Sequence, residues 1–272
     1  VDAVAQVVRC FEDSDITHVS GRVDPINDIA TINTELLLAD IEWLEKRKAS
    51  LEKKAKGGDE MATVELAMAE KILPLLSNSD NARQAVTALQ LSKEASVRLD
   101  QWPLLSLKPM MLVCNLSEAE VAKGNDMSRA VVDYAKKNNL GVALVSAKIE
   151  AEIALLPVAD QADYLTTVGL SETGLKQIIR LGYRLLDRLS FFTAGPKETR
   201  GWSVNRGATA QEAAGTIHTD FARGFIAAET IHIDDLIAVG SEQKAKEQGK
   251  VRLEGKNYIV QDGDVFHFRF AV

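Results

Sequence analysis

Two short, fully apolar runs in the middle of the chain constrain its fold more than any other feature. They are residues 110–114 and 141–145, and neither shows the alternation of apolar and polar residues typical of a strand with one face in water. Between them, residues 126–138 carry an apolar stripe at helical spacing, which Asn138 and Asn139 bring to an end. This order of strand, helix and strand predicts two parallel neighbouring strands covered by helices on both faces.

Polar residues follow both predicted strands at their carboxyl ends, the edge at which open parallel sheets bind ligands. The candidate binding residues are Asn115, Leu116, Ser117 and Glu118 after the first strand, and Ser146, Ala147 and Lys148 after the second. The first group differs from the Asn-Lys-x-Asp of guanine-specific GTPases, whose aspartate accepts two hydrogen bonds from guanine. With Leu116 and Glu118 at the differing positions, we predict an adenine site in which Leu116 contacts the ring and Asn115 or backbone groups meet the N6 amine. An ordinary loop with a helix N-cap is the alternative interpretation.

The composition is that of a soluble globular protein. The chain has 272 residues, of which 46% are hydrophobic, enough for two or three domains. Its apolar runs are shorter than the roughly 18 residues of a membrane helix, and we find no signal peptide, so we expect a cytoplasmic protein without membrane contact. Cys10 and Cys114 lie in predicted core strands, which does not suggest a disulfide. The net charge of −7 argues against general coating of nucleic acid but allows a local basic patch.

The region between the first predicted strand and residue 110 is predicted to be helical. An apolar stripe from Leu37 to Ala55 breaks at Gly57 and resumes from Met61 to Leu75, which predicts an antiparallel helical hairpin capped at Asn33 or Thr34. A shorter helix is expected at residues 83–98. Near the turn, the hairpin carries the basic residues Lys46, Arg47, Lys48, Lys53, Lys54 and Lys56. These could contact RNA phosphates, although solvated lysines on an exposed helix are an equally good interpretation.

The remainder of the chain is predicted to contain helices and then a small mixed sheet. Helices are expected at residues 149–159, 163–168 and 173–190. Short strands are then expected at residues 200–204, 225–233, 251–253, 258–260 and 265–270, with a helix at 209–217. This pattern predicts a β-grasp-like module. The four histidines, His18, His218, His232 and His267, have no spacing typical of a metal site, and we assign no catalytic residue.

We therefore predict an α/β protein made of a partial sheet of the P-loop nucleotide hydrolase type, an inserted antiparallel helical hairpin and a C-terminal β-grasp domain. Residues 1–29 and 108–189 are assigned to the sheet domain, 30–107 to the insertion and 190–272 to the β-grasp domain.

Six segments spread along the chain together resemble the Obg-like ATPase family of the YchF type. They are residues 9–13, 55–59, 115–118, 192–198, 217–221 and 258–264, with sequences RCFED, AKGGD, NLSE, FTAGPKE, IHTDF and YIVQDGD. The resemblance implies a G-domain of GTPase descent that binds and hydrolyses ATP in preference to GTP, a coiled-coil insertion and a C-terminal TGS domain. It also implies association with the ribosome, its subunits and rRNA, and it assigns residues 115–118 to adenine recognition with Ser146, Ala147 and Lys148 beneath the base.

The chain departs from that family's pattern in one respect. Members carry a Gly-rich phosphate loop ending in Gly-Lys-Ser and switch segments that bind Mg²⁺, and neither occurs in this sequence. Residues 169–176 superficially resemble such a loop but lack the adjacent Gly-Lys-Ser/Thr. The chain also begins with Val1 inside a predicted core strand. We therefore expect a fragment whose Mg²⁺ ligands lie in a missing N-terminal part, which binds ATP at millimolar affinity or worse and does not hydrolyse it.

The alternative hypothesis is a non-catalytic adaptor that binds RNA or the ribosome through the helical hairpin and the TGS module. We expect no readout of DNA sequence in either case.

Overall fold

The computed structural model describes residues 1–13, 21–78, 82–195 and 198–271. The chain divides into two compact units, residues 1–182 and 183–272. His18 and its polar loop lie outside the described residues. Across the described ranges, every helix is too short or too polar to cross a membrane.

The first unit is built on a parallel sheet of three strands in the order β1, β2, β3. Their bounds are Val4–Arg9, Met110–Asn115 and Gly141–Val145. Cys114 lies opposite Val8 on one side and Leu144 on the other, so all three carboxyl ends meet at one edge. The predicted pair of parallel strands is confirmed. The first strand is shorter than predicted and ends before Cys10, which is nevertheless fully buried.

Four helices of the α/β part surround this sheet. They are α5 (Asp126–Lys137), α6 (Ala147–Leu155), α7 (Val158–Thr167) and α8 (Gly174–Leu185). The core on one face includes the fully buried Leu112, Val131 and Ile149. The predicted helix at residues 173–190 is too long, because the chain leaves helical geometry at Asp187, where φ is 50°.

The predicted helical hairpin is also confirmed. It consists of α1 (Pro25–Lys56) and α2 (Glu60–Asn78), and the chain turns at Gly57 and Gly58. Its predicted start was wrong, because the Asp24 side chain accepts a hydrogen bond from the Asn27 amide (3.1 Å) and Pro25 occupies the first helical position. The apolar stripe is unaffected by this earlier start, because Leu37, Ile41 and Leu44 of α1 still pack in one cluster with Met68 and Ile72 of α2.

A compact group of short elements closes the hairpin. These are α3 (Ala82–Thr87), α4 (Lys93–Asp100) and a 3-10 turn at Leu105–Leu107. The single helix predicted at 83–98 is therefore two helices, because the Ser92 hydroxyl caps α4 by accepting from the Ala95 amide (3.2 Å). Asp40 of α1 is 3% exposed and accepts the amides of Leu105 (2.9 Å) and Ser106 (2.7 Å), which attaches the turn to the hairpin.

The second unit contains a five-stranded sheet in the order β5, β4, β8, β6, β7. The strands are β4 (Arg188–Ala194), β5 (Thr199–Asn205), β6 (Phe225–His232), β7 (Arg252–Glu254) and β8 (Asp264–Phe270). The helices are α9 (Ala210–Ile217), α10 (Thr219–Arg223), α11 (Ile233–Val239) and α12 (Glu242–Glu247). The neighbouring strands β4 and β8 are parallel, and the other neighbouring pairs are antiparallel.

This topology confirms the predicted β-grasp fold, since a hairpin is followed by a helix and the last strand pairs with the first. Two details differ from the prediction. Strand β4 was partly assigned to a helix, and residues 258–260 form only an isolated bridge between Thr209 and Ile259. Phe191 and Phe266 fill the core with their rings in edge contact at 5.6 Å. Glu229 binds Lys246 and Arg269, which together lower the pKa of its carboxyl group to about 2.

Candidate nucleotide-base site

The structure brings the loops after β2 and β3 together at the carboxyl edge of the parallel sheet. Asn115 ends β2, and its side-chain oxygen accepts a hydrogen bond from the Ala147 amide (3.0 Å) at the start of α6. The amide of Leu116 donates to the Val145 carbonyl (2.8 Å) just below. The two predicted groups of residues therefore lie together, because neighbouring parallel strands deliver both loops to the same edge.

The bond to Ala147 determines how the Asn115 side chain is oriented. A backbone N–H can only donate, so the atom facing it is the amide oxygen, and the NH₂ group of Asn115 must point elsewhere. That oxygen keeps a second lone pair. Asn115 is half-buried, and it can thus offer one acceptor and two donors side by side to a flat ligand.

Glu118 and Lys148 form an ion pair beside Asn115. The Lys148 ammonium lies 2.8 Å from one Glu118 carboxylate oxygen, and both side chains are partly exposed. This contact with Glu118 raises the pKa of Lys148 above its ordinary value. The ion pair is a second link between the two loops. It also engages the Glu118 carboxylate, and Glu118 is at the position where a guanine-specific site has its aspartate.

Two of the predicted residues face away from the site. The Leu116 side chain is 2% exposed and packs into the core of the α/β part, so its predicted contact with the base is wrong. The reason is its backbone bond to Val145, which continues the sheet for one more residue and turns the side chain inward. The Ser117 hydroxyl donates to Glu120 (2.6 Å) and so serves the turn itself.

Ser146 carries the clearest sign of an incomplete polar environment. It is 2% exposed, it precedes α6, and its hydroxyl oxygen is buried without a hydrogen-bond partner among the described residues. Buried hydroxyls seldom remain unpaired in folded proteins. The first amides of α6 lack partners within their helix, as in any α-helix, so a polar ligand at this loop meets donors. The donors and the acceptor that the Asn115 amide offers match the hydrogen-bonding groups of a purine edge.

Sequence reasoning missed the residues that support the second loop. Glu150 of α6 accepts the amides of Gly174 (2.7 Å) and Leu175 (3.2 Å) and thereby caps α8. A β-carbon on Gly174 would lie 2.5 Å from the Val145 Cγ1 atom. The glycine that opens α8 is the only signal of this close approach in the sequence.

The first loop has a comparable support. The side-chain NH₂ of Asn125 donates to the Cys10 carbonyl (2.7 Å), while its oxygen caps α5 by accepting from the Ser128 amide (2.9 Å).

Cys10 and Cys114 are free thiols in the core. Contact with Cys114 and burial raise the pKa of Cys10, so its thiol remains protonated and acts as an apolar group.

The described residues contain no group of three or more His, Cys, Asp or Glu side chains able to hold a metal ion. We therefore assign no Mg²⁺ ligand.

The basic residues near the hairpin turn fall into two classes. Lys46, Arg47 and Lys48 form ion pairs with Glu42, Glu65 and Glu52. Lys53, Lys54 and Lys56, in the last turn of α1, are exposed and have no ion pair with any described residue. We call these three the tip lysines.

Comparison with known proteins identifies the family. A family model called YchF-GTPase_C, described as a protein of unknown function (DUF933), matches residues 189–271. A protein of Haemophilus influenzae named ribosome-binding ATPase YchF is 48% identical over 271 residues, which is 100% of this chain and 73% of that protein. A protein of the same name from Bacillus subtilis is 47% identical over 274 residues, which is 100% of this chain and 74% of that one.

A solved structure agrees in fold as well as in sequence. The Schizosaccharomyces pombe YchF GTPase superposes with a TM-score of 0.79 at 30% identity, over 99% of this chain and 72% of the other. Since the similarity to these proteins extends over all or nearly all of its residues, the chain belongs to the YchF family.

Proposed function

We propose that this chain is part of a ribosome-associated ATPase of the cytoplasm and that Asn115 and Ala147 form the part of its site that selects adenine. The observation that carries the proposal is the hydrogen bond between these two residues, which joins the strand-end loops and orients the Asn115 amide. The names of its relatives support the activity and the partner. We also propose that the second unit is a TGS domain and that the hairpin is a coiled coil.

Adenine matches the groups that Asn115 presents. The outer edge of adenine carries an acceptor at N7 next to a donor at N6, and an asparagine amide can bind both at once. The NH₂ group of Asn115 would donate to N7, and the free lone pair of its oxygen would accept from N6. The ion pair of Glu118 with Lys148 would lie beside the ring, whereas the Ser146 hydroxyl is buried and would reach the base only if the loop moved.

Guanine fits the same groups less well. Its edge carries acceptors at both N7 and O6, so O6 would face the Asn115 oxygen. The Ala147 amide, which could otherwise donate to O6, is already bonded to Asn115. Glu118 is bonded to Lys148, so its carboxylate is less available to the N1 and N2 donors of guanine. Each difference disfavours GTP.

Hydrolysis of ATP requires a lysine and a metal ion that neutralise the charge of the β- and γ-phosphates. The sequence contains no Gly-Lys-Ser/Thr, and we place neither phosphate contacts nor catalytic residues in this chain. When bound, Mg²⁺ would supply the charge neutralisation. The role of the described residues is to bind and orient the base, and base contacts alone give weak binding.

We expect this chain to bind ATP at millimolar affinity and GTP at least fivefold more weakly, with no detectable phosphate release. Asn115→Asp replaces the NH₂ donors with a carboxylate oxygen and should weaken ATP binding about tenfold, the value of one good bidentate contact. Titrations followed by amide chemical shifts measure affinities in this range. Asn205→Asp, at an exposed position of β5, is the control and should bind as the parent does. Equal or tighter binding of GTP would contradict the proposal.

A second candidate function, a non-catalytic ribosome adaptor, is favoured by the tip lysines. Three exposed cations that form no ion pair with a described residue, on a protein of net negative charge, would give RNA phosphates a local binding site. This function does not depend on the nucleotide site.

Reversal of the three tip lysines to glutamate should reduce cosedimentation with ribosomes at least tenfold at low salt and flatten its salt dependence, because up to three phosphate contacts are lost. The control reverses Lys46 and Lys48, which already form ion pairs, and should have a smaller effect. Unchanged cosedimentation of the variant with all three tip lysines reversed would show that the tip lysines do not contribute to ribosome binding.

A further inference from the structure

Strand β5 is an outer strand of the second unit's sheet, and its free side is open. In the sheet order it has only β4 as a neighbour. Within the described residues, no backbone bond pairs the outer side of Thr199–Asn205 with another strand, and most of these residues are exposed. A seven-residue strand without proline or a bulge is a ready template for one more strand.

A preoriented guanidinium lies at one end of this edge. The indole N–H of Trp202 donates to the Thr193 hydroxyl (2.9 Å), which holds the ring in place. The Arg200 guanidinium stacks on that ring at 4.3 Å from its centroid. Stacking holds the planar group while leaving the N–H donors on its rim directed outward.

Arg200 forms no ion pair with any described carboxylate, including the nearby Glu198. Most other arginines of this unit differ in that respect, since Arg206, Arg223, Arg252 and Arg269 all have acidic partners. Arg200 is thus an exposed, oriented cation whose natural complement is a carboxylate.

We propose that the β5 edge binds an extended acidic peptide segment of another protein by strand addition, with a Glu or Asp opposite Arg200. The backbone of the added strand bonds to the free side of β5, and its carboxylate accepts from the Arg200 guanidinium. Because side chains alternate along a strand, the residue two positions from the acid lies opposite Trp202 and should be β-branched or aromatic. This site is separate from the base site and does not depend on it.

A peptide fits better than RNA for a physical reason. The open edge offers alternating N–H and C=O groups, which another peptide backbone matches and a phosphate chain does not. A second copy of this chain fits less well, because antiparallel pairing of two β5 strands over their full length Thr199–Asn205 would place Arg200 opposite Val204 rather than an acid.

The test uses the whole chain and the fluorescein-labelled peptide Ser-Val-Thr-Glu-Thr-Val-Ser, which is symmetrical so that either strand direction places a valine near Trp202. We expect binding by fluorescence anisotropy and slower hydrogen exchange of β5 amides. Arg200→Glu should weaken binding about fivefold, and a peptide with Lys in place of Glu should restore most of the loss. Lys256→Glu, an exposed lysine of the same unit without a described ion pair, is the matched control and should bind normally.

Four results would overturn the proposal. The first is absence of peptide binding, and the second is an equal effect of the Arg200 and Lys256 variants. The third is Arg200-dependent binding of a ten-nucleotide uridine RNA with no binding of the peptide, which would make this a nucleic-acid surface. The fourth is a concentration-dependent dimer that Arg200→Glu dissociates, which would assign the edge to a second copy.

Discussion

Gly174→Ala is expected to lower the free energy of unfolding of the first unit by about 3 kcal/mol. The new β-carbon would lie 2.5 Å from Val145 Cγ1, 2.8 Å from Val145 Cβ and 3.2 Å from a Glu150 carboxylate oxygen. The end of β3 or the start of α8 must shift to relieve this overlap. Because Ser146 follows Val145 directly, the same shift should weaken ATP binding. Urea unfolding measures the first effect and chemical-shift titration the second.

The same helix provides the control for this change. Gly182 is also in α8, but an added β-carbon there meets no atom within 4 Å. Gly182→Ala should therefore stabilise the protein by up to about 1 kcal/mol through helix propensity alone. If Gly174→Ala were as harmless as Gly182→Ala, the close packing of α8 against β3 would be disproved.

Asp40→Ala is expected to destabilise the helical hairpin by about 3 kcal/mol, because it leaves the amides of Leu105 and Ser106 without acceptors in a partly buried turn. The gain in helix propensity from alanine offsets only a few tenths of a kcal/mol. The rings of Trp43 and Trp102 are in tilted contact, with centroids 5.8 Å apart, so tryptophan fluorescence during urea unfolding reports the loss.

Two further variants show whether the cost arises from those hydrogen bonds. Asp40→Asn retains one acceptor and should fall between the parent and the alanine variant. Glu45→Ala, an exposed acid on the same helix, should change stability by less than about 0.5 kcal/mol. A loss for Asp40→Ala no larger than for Glu45→Ala would show that the turn is held by packing alone.

Substitutions in the candidate base site are expected to affect one another. Asn115 is bonded to Ala147 across two loops, and Glu118 is bonded to Lys148 across the same gap. A substitution at any of these positions changes the spacing of both loops as well as its own contact with a ligand. Their effects on binding should therefore not add, and a double-mutant cycle between Asn115 and Lys148 would measure the coupling.

Local patterns in the sequence were sufficient for the main elements but not for several boundaries. The apolar runs at 110–114 and 141–145 were recognised as strands because burial on both faces removes polar residues. The start of α1 was missed because residues 25–33 face solvent over much of their surface and show little periodicity. Strand β4 was assigned to a helix because Leu186 and Leu189 continue the helical spacing of α8, although the positive φ of Asp187 separates them.

The orientation of individual side chains was the property that could be predicted least well from the sequence. Leu116 looked available to a base, yet one backbone bond to Val145 extends the sheet and turns it into the core. No local pattern marked Glu150, yet its carboxylate caps α8 from a neighbouring helix. In both residues the deciding contact is with a segment distant in the chain, which no local pattern contains.

The sequence by itself determined the parallel strands, the hairpin, the β-grasp order and the loops that carry the candidate site, because apolar periodicity and turn residues are local properties of the chain. Only the tertiary structure decided how the Asn115 amide is oriented, that Glu118 is bonded to Lys148, and that Arg200, on an outer strand, has no carboxylate partner among the described residues. These depend on distances between segments far apart in the chain, and those distances exist only once the sheets have formed.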